Sequence, residues 1–358
     1  MTGKYERFYA LDGMRGLGAL CILLWHLPSP PRGVGIHVYL LVDLFFILSG
    51  FVLAHVYEHR MREPGAIAGF LRERVIRLHP LLLVGALPGI LTITLVGPSL
   101  RDPYPALTVI SAVLPFPTLW RDPLPMATFP LNPPSWSLFW EILTNILFAF
   151  MAPWLRTRTL TVLVVLLAVA TTAANFYQSL HSGDLAISGL RGLACFPLGV
   201  LVLRVHRMKL VNLSAIGPYA IPLMFAIVLL PFGSEVAYEA LARFILFPAL
   251  LLGCAAHPVR YPALHTFSGE LSYPIYILHA PTLAMLKRAF AELGLPYNQW
   301  VVAGTCLFLI WLIWRFYDAP LRTWLRRRFG WRRLPAARDA PDTPAAASPA
   351  DPAPPYRE

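Results

Sequence analysis

Ten apolar stretches, each close to the length needed to cross a lipid bilayer, run through most of the chain. A transmembrane helix needs about 20 mostly apolar residues. Of the 358 residues, 57% are hydrophobic and only 14% are charged, whereas soluble domains carry about 25% charged residues. The sequence therefore predicts an all-α polytopic membrane protein with ten transmembrane helices. The predicted spans are 8–28, 36–56, 78–97, 137–154, 160–177, 186–203, 214–231, 239–256, 267–286 and 299–318.

The basic residues predict the orientation of these helices. With the N-terminus placed in the cytoplasm, most of the 30 Lys and Arg residues fall in cytoplasmic segments, including the stretch 60–77 and the segment after residue 318. This bias follows the positive-inside rule for inner-membrane proteins. Because an even number of spans returns the chain to its starting side, both termini are predicted to be cytoplasmic and the helices to be surrounded by membrane lipids.

Composition argues against several other classes of protein. The net charge of +11 could suggest nucleic-acid binding, but the basic residues lie at the ends of apolar runs, so no nucleic-acid partner is expected. The four cysteines lie within apolar stretches without metal-ligand spacing, so we predict no metal site. Asp12 and Arg15 interrupt the apolar core of residues 1–28, which is therefore interpreted as a retained first helix and not as a cleaved signal peptide.

Two segments outside the spans stand apart. Residues 335–358 consist mostly of Ala, Pro and Asp and are predicted to be a disordered tail that follows an integral membrane domain of residues 1–334. The loop 98–136 is predicted to lie outside and is rich in proline and aromatic residues. It is interpreted either as a functional lid or as a passive connector.

Charged residues inside a bilayer cost free energy and therefore indicate functional sites. Arg15 and His26 lie eleven residues apart in the first span, or about 16 Å along a helix. The predicted depths place His26 near three other ionisable residues in the outer half of the membrane, and place several arginines nearer the cytoplasm. The outer group is Asp43, Glu141 and His279, and the inner group is Arg15, Arg72, Arg74 and Arg77.

This arrangement suggests a chemistry. A histidine beside a carboxylate can act as a general base, and arginines bind phosphate groups well, so acyl-coenzyme A is a plausible donor. Each residue also has a simpler interpretation. The arginines could contact lipid headgroups, His279 could be a packing residue, and Asp43 could brace neighbouring helices.

Six short motifs in one order carry a resemblance to the acyltransferase-3 family. The motifs are Leu11-Asp12-Gly13-Met14-Arg15-Gly16 with His26, Asp43-Leu44-Phe45-Phe46-Ile47-Leu48-Ser49-Gly50-Phe51, Arg74-Val75-Ile76-Arg77, Trp136-Ser137-Leu138-Phe139-Trp140-Glu141, Leu271-Ser272-Tyr273-Pro274-Ile275-Tyr276-Ile277-Leu278-His279 and Tyr317-Asp318-Ala319-Pro320. Two positions depart from the family pattern. Asp318 stands where the family usually has Glu, and the usual continuation after Glu141 is replaced by Ile142-Leu143-Thr144-Asn145.

The resemblance implies ten helices with both ends cytoplasmic and transfer of acyl groups, usually acetyl, to carbohydrates and related acceptors. It implies that His26 is the essential catalytic residue and that three arginines serve the acyl donor. Our own hypothesis adds Glu141 as a second catalytic residue that helps His26 to activate the acceptor hydroxyl. The donor residues are Arg15, Arg74 and Arg77, and the substrate-site candidates are Asp43, Ser49, Tyr276 and His279.

We therefore expect a multi-pass enzyme of the bacterial inner membrane that moves an acyl group from cytoplasmic acyl-CoA to a hydroxyl of an envelope carbohydrate, a glycolipid or a secreted polysaccharide. Macrolides and lipids are the alternative acceptors. Acetyl-CoA or another acyl-CoA is expected as a substrate, and no permanently bound cofactor is expected. The rival hypotheses are a transporter or flippase, which many intramembrane charges permit, and a non-catalytic partner in glycan assembly. Dependence on acyl-CoA distinguishes the enzyme from both.

Overall fold

The computed structural model describes residues 7–27, 37–96, 105–118, 128–177, 185–230 and 235–330, and the elements of this part are helices joined by turns. Every predicted span overlaps one of these helices. In chain order the helices are α1 (Tyr9–Trp25), α2 (Leu40–Tyr57), α3 (Ala66–Val96), α4 (Pro105–Val113), α5 (Ser135–Met151), α6 (Thr157–Tyr177), α7 (Leu185–Arg207), α8 (Ala220–Leu229), α9 (Glu235–Ala255), α10 (Pro262–Glu292) and α11 (Gln299–Phe329).

Six of these helices are long and apolar enough to cross a membrane, namely α2, α3, α6, α7, α9 and α11. Two further apolar helical segments, Ser135–Met151 and Ser214–Leu229, are shorter. The described part of the chain is thus a helical multi-pass membrane protein. The prediction of ten spans stays a prediction, because α1, at 17 residues, and α10, with several polar residues, do not meet the same criteria.

The third predicted span is wrong at its start, because α3 begins at Ala66 and not at residue 78. Arg72, Arg74 and Arg77 therefore lie on the first turns of the helix instead of in a loop before it. Arginine is a good helix former, so a helix can continue past the apolar stretch that hydropathy detects. α3 also continues through Pro80 and Pro88, as transmembrane helices often do.

The loop 98–136 contains more structure than a passive connector. α4 forms at Pro105–Val113 and packs against α3, and the backbone N–H of Thr118 donates to the carbonyl of Thr128. Residues 97–104 and 119–127 lie outside the described residues, and so do residues 1–6 and the predicted tail 335–358. The loop's role as a lid and the boundary at residue 334 therefore stay predictions.

Two apolar cores hold the helices together. One lies between α2, α7, α8 and α9 around Phe51, Phe196 and Phe247; the other lies between α1, α3, α10 and α11 around Leu82 and Leu278. Since lipid tails are as apolar as these side chains, close helix contact must come from packing and not from exclusion of water. Several polar and charged side chains lie in the space between the two cores, and this space contains the candidate site.

The contact between α2 and α7 depends on two glycines. A Cβ atom on Gly50 would lie 2.0 Å from the carbonyl oxygen of Phe196, and one on Gly199 would lie 2.0 Å from that of Ile47. The two backbones therefore touch, as small residues allow in membrane helix pairs. This contact fixes the face that α2 presents to the polar space.

α9 and α11 are each interrupted by a π-turn that carries a buried charged residue. The turn Ala242–Leu246 holds Arg243, and the turn Trp314–Asp318 holds Asp318. A π-turn inserts one extra residue into a helix and re-aims the side chains that follow, often at functional sites. Asp318 forms an ion pair with Arg322 at 2.6 Å within α11.

Candidate active site

A cavity of about 120 Å³, lined by both polar and apolar side chains, lies between α1, α2, α3, α5 and α10. Its wall collects most of the residues that the sequence motifs singled out, although they come from five separate helices. Among the described residues, its polar lining includes Arg15, Ser49, Arg74, Arg77, Ser137, Glu141 and Tyr276. Three arginines, Arg15, Arg74 and Arg77, and one carboxylate, that of Glu141, line this cavity. The cavity is therefore strongly basic on one side.

A second cavity of about 370 Å³ continues from the first towards the end of the bundle that carries Arg7, His55 and Arg326. We term this the basic end. Arg15, Arg74 and Arg77 line both cavities, and they therefore form the junction between them. Because the two cavities share these lining residues, they adjoin each other, and we term the pair the passage.

Arg77 is the unpaired charge of this junction. Among the residues that the structure describes, it makes neither a hydrogen bond nor an ion pair, although it lines both cavities. The charges of Arg15, Arg74, Arg322 and Arg326 are close enough to act on it, and so is one carboxylate, that of Asp318. A cluster of guanidinium groups around one unpartnered member creates a strong local preference for an anion.

The other two junction arginines are held in place by protein groups. Arg15 donates to the hydroxyl of Ser272 at 2.9 Å, to the carboxylate of Asp12 at 3.0 Å and to the carbonyl of Gly269 at 3.0 Å. Arg74 donates to Glu141 at 2.7 Å. These contacts fix the two guanidinium groups before any ligand binds, and such pre-organisation lowers the cost of binding.

Glu141 does not contact His26. Its carboxylate accepts from Arg74 and, at 3.1 Å, from the hydroxyl of Ser49. The prediction that Glu141 orients the catalytic histidine is therefore not supported by the geometry. A carboxylate forms a stronger hydrogen bond with an arginine than with a neutral imidazole, because the arginine is charged.

Tyr276 lines the first cavity on the side of the two histidines. Its hydroxyl is 2.6 Å from that of Ser137, and its ring packs edge-on against Phe45 with centroids 5.9 Å apart. His26 and His279 do not line the cavity. They lie beyond Tyr276, which is one helical turn before His279 on α10 and whose ring centroid is 6.2 Å from that of His279.

His26 ends α1 and remains partly exposed, and its ring centroid lies 4.8 Å from that of the buried His279. Nδ1 of His26 lies 2.8 Å from the carbonyl oxygen of Ile22. Since a carbonyl only accepts hydrogen bonds, Nδ1 carries the hydrogen and the neutral ring keeps its lone pair on Nε2. That tautomer is the one a general base requires, and a backbone carbonyl orients the ring where the sequence predicted a carboxylate.

Asp43 lies outside the cavity, in a separate buried network. Its two carboxylate oxygens accept from Arg191 and Arg243, each at 2.9 Å, and Arg243 also pairs with Glu239. Asp43, Glu239 and Arg243 are fully buried, and Glu239 in turn accepts from Tyr39. Asp43 thus braces α2 against α7 and α9, which was the simpler of its two interpretations.

Sequence reasoning missed three of these network residues. Arg191, Glu239 and Arg243 are charged residues within or beside predicted spans, so the signal was present, and Glu239 and Arg243 show the i, i+4 spacing of a helical ion pair. Within the described part of the chain, no group of three or more His, Cys, Asp or Glu side chains is placed to hold a metal ion.

The protein is a helical multi-pass membrane bundle with a basic internal passage and an oriented histidine. Comparison with known protein families assigns it more specifically. The model of the acyltransferase-3 family, described as an acyltransferase domain, matches residues 8–317. The chain therefore belongs to the acyltransferase-3 family.

Two relatives support this membership. Protein 2 in the picA locus of Rhizobium radiobacter is 36% identical over 178 residues, which cover 46% of this chain and 91% of that protein. Acyltransferase MdmB of Streptomyces mycarofaciens is 31% identical over 159 residues, which cover 39% of this chain and 38% of MdmB. No solved structure matches the chain.

Proposed function

We propose that this membrane acyltransferase transfers an acetyl group from cytoplasmic acyl-CoA to a hydroxyl of an envelope carbohydrate or a secreted polysaccharide. The observation that carries the proposal is the pair of cavities that meet at Arg15, Arg74 and Arg77. Acyl-CoA combines a polyanionic nucleotide with a long, narrow arm. A wide basic cavity followed by a narrow one suits the two parts in that order.

The donor enters from the cytoplasm in this proposal. The basic end carries Arg7 and Arg326, and excess Arg and Lys on one side of a membrane protein face the cytoplasm. The protein then has ten spans, including the short or polar helices α1, α5, α8 and α10, and both termini in the cytoplasm of a bacterial inner membrane. His26 lies towards the opposite face, where a carbohydrate acceptor arrives.

In this proposal the arm spans the distance between Arg15, in the middle of α1, and His26, at its end. Arg15 and His26 are eleven residues apart, or about 16 Å along the helix at about 1.5 Å per residue. Phosphates held at the junction would place the thioester near Tyr276, one turn short of the histidines. Movement of the Tyr276 ring away from Phe45 would then open the route to His26.

His26 performs the proton transfer in this scheme. Its Nε2 lone pair takes the proton of the acceptor hydroxyl, the hydroxyl oxygen bonds to the thioester carbon, and the carbon–sulfur bond breaks. His26 then returns the proton to the CoA thiolate. A transient acyl group on His26 would use the same Nε2 lone pair. Glu141 serves this chemistry through Arg74, by holding the guanidinium against the donor.

The first experiment compares wild type with His26→Ala, using purified protein in nanodiscs with radiolabelled acetyl-CoA and a carbohydrate acceptor. General base catalysis contributes about 10²- to 10⁴-fold, so we expect transfer by the variant to fall by at least about 100-fold. His59→Ala is the matched control, because His59 is exposed at the basic end, and it should retain full activity.

Retained transfer by the His26→Ala variant would contradict the proposal. Binding of acetyl-CoA without turnover in wild type would leave the donor assignment in place and point to a different acceptor. Wild-type protein that neither binds nor consumes acyl-CoA would show that the donor is wrong.

A further inference from the structure

An apolar groove of about 220 Å³ runs between α5 and α6, with α7 as its floor, and shares no lining residue with the passage. α5 and α6 follow each other in the chain and both pack on α7, but they make few contacts with each other. Leu147 and Met151 of α5 line the groove and remain exposed. The groove is therefore open to the outside of the bundle.

The lining of this groove accepts a hydrocarbon chain and little else. It consists of apolar side chains such as Leu163, Leu167 and Phe196, together with Thr144. The hydroxyl of Thr144 donates to the backbone carbonyl of Glu141 at 2.9 Å, so it is not available to a ligand. A cavity without polar partners does not hold water, and an empty one forfeits dispersion contacts.

One end of the groove lies at the depth of the lipid headgroups. Leu155 and Leu160 both line it, so the turn between α5 and α6 lies at this end. Trp154, in the same turn, is 77% exposed. Tryptophan is enriched where a membrane meets water, and its exposure here marks the level at which a lipid carries its phosphate.

The turn is held rigidly by guanidinium groups from two other parts of the chain. Arg62 donates to the carbonyl of Pro153 through Nε at 3.2 Å and Nη2 at 2.8 Å. Arg204 donates to the carbonyl of Leu155 at 2.8 Å and to the hydroxyl of Thr157 at 3.3 Å. A ligand that binds to this turn therefore does not have to order it first.

Two further arginines are presented by this rigid turn. Arg156 and Arg158 are exposed, and in the part of the chain that the structure describes neither side chain makes a hydrogen bond or an ion pair. Glu58, which pairs with Arg204, is also paired with Arg207. The two exposed guanidinium groups thus keep their full charge for an anion, and guanidinium binds phosphate well.

We infer that the groove and its turn form a binding site for one anionic phospholipid of the surrounding membrane. An acyl chain lies in the groove, and the phosphate lies against Arg156 and Arg158. Basic groups beside a cleft between transmembrane helices are the arrangement that recognises anionic lipid headgroups. The site is distinct from the passage, and the inference does not depend on the proposed function.

The test measures lipid binding to the purified full-length protein by native mass spectrometry. Phosphatidylglycerol and phosphatidylethanolamine with identical acyl chains are added in detergent. Each basic residue near an anionic lipid contributes about fivefold in affinity, so wild type should prefer phosphatidylglycerol by about 10- to 30-fold. The double variant Arg156→Gln/Arg158→Gln should lose this preference and still bind phosphatidylethanolamine. Leu163→Trp, which fills the groove, should weaken binding of both lipids and leave their ratio unchanged.

Each variant has a matched control. Arg327→Gln/Arg328→Gln removes the same charge from two exposed positions of α11 that line neither the groove nor the passage. Val165→Trp adds the same ring to an exposed position of α6 outside the groove. Both controls should bind the two lipids as wild type does. The arginine variant changes only exposed side chains, so it tests the site even if Leu163→Trp fails to fold.

An unchanged lipid preference in the Arg156→Gln/Arg158→Gln variant, or an equal loss in its control, would overturn the inference. So would wild-type binding of lipid by folded Leu163→Trp. A dimer in wild type that Leu163→Trp dissociates would show that a second copy of the chain covers the groove instead. Because lipid binding is measured and not acyl transfer, failure of the proposed function would leave these results unaffected.

Discussion

Arg74 and Arg77 lie one turn apart on the same face of α3, yet their electrostatic environments differ. Arg74 is neutralised by Glu141 at 2.7 Å, whereas Arg77 has no ion-pair partner among the described residues and lies near four other guanidinium groups. The positive charge available to an anionic ligand at the junction is therefore concentrated on Arg77. Arg74 offers such a ligand a hydrogen-bond donor in a fixed orientation more than it offers a free charge.

Replacement of Arg77 by Gln should therefore weaken binding of the acyl donor more than it slows acyl transfer. Loss of a charge-assisted hydrogen bond costs about 1.5–3 kcal/mol, so we expect the KM for acyl-CoA to rise by about 10- to 100-fold with a smaller change in kcat. Arg72→Gln is the control, because Arg72 is exposed on the same helix and bonds to the carbonyl of Phe329. A normal KM for the Arg77 variant would exclude donor binding at the junction.

The sequence motifs predicted the residues of the cavity better than they predicted the contacts between them. Arg15, Ser49, Glu141 and Tyr276 come from four motifs on four helices, and all line one cavity. The pairing of Glu141 with Arg74 was not predicted, because pairing inside a membrane depends on helix rotation and on which helices are neighbours. A single sequence indicates how deep in the membrane a residue lies, but not in which direction its side chain points.

At the scale of the element, hydropathy located the helices but not their ends. α3 and α11 extend beyond the apolar stretches that predicted them, as Ala66–Val96 and Gln299–Phe329. Arginine-rich turns continue these helices beyond the apolar stretches, and a hydropathy window does not register them. The π-turns of α9 and α11 were also not predicted, since one extra residue leaves the apolar composition unchanged.

Contact between α2 and α7 should fail when a side chain is placed on Gly50. A Cβ there would meet the backbone carbonyl of Phe196 at 2.0 Å, and backbone cannot move aside as a side chain can. We expect Gly50→Leu to lower the yield of folded protein and the midpoint of thermal unfolding in detergent by several degrees.

Gly304→Leu is the matched control for this prediction. Gly304 lies on α11, and a Cβ added there would meet nothing within 4 Å. The two variants add the same side chain, so they differ only in the space available to it. Equal stability of both would mean that α2 and α7 do not pack through their backbones.

At the scale of the whole molecule, the described structure consists of two apolar cores with a polar space between them. This division explains why a chain with 14% charged residues can still contain a basic passage. Apart from Arg77, the arginines of the junction are held by protein groups. The apolar helix α6, of whose most apolar 18-residue window only 22% is buried, does not line either cavity of the passage.

The proposed orientation can be tested with single cysteines, because Cys21, Cys195, Cys254 and Cys306 are all buried. Val211 and Leu295 are exposed in two different connections. With the basic end in the cytoplasm, a membrane-impermeant maleimide should label Leu295→Cys in intact spheroplasts and Val211→Cys only after permeabilisation. Labelling of Val211→Cys in intact spheroplasts, and of Leu295→Cys only after permeabilisation, would show that the orientation is the reverse of the one proposed.

The buried network around Asp43 has a consequence for how the protein is made. Asp43 leaves the ribosome 148 residues before Arg191 and 200 residues before Arg243. At about 5–20 residues per second, α2 waits about 10–40 seconds for its second arginine. During that interval a lone carboxylate inside lipid is unfavourable. We therefore expect α2 to remain beside the translocation machinery, or to hold its carboxylate protonated, until α7 and α9 have been synthesised.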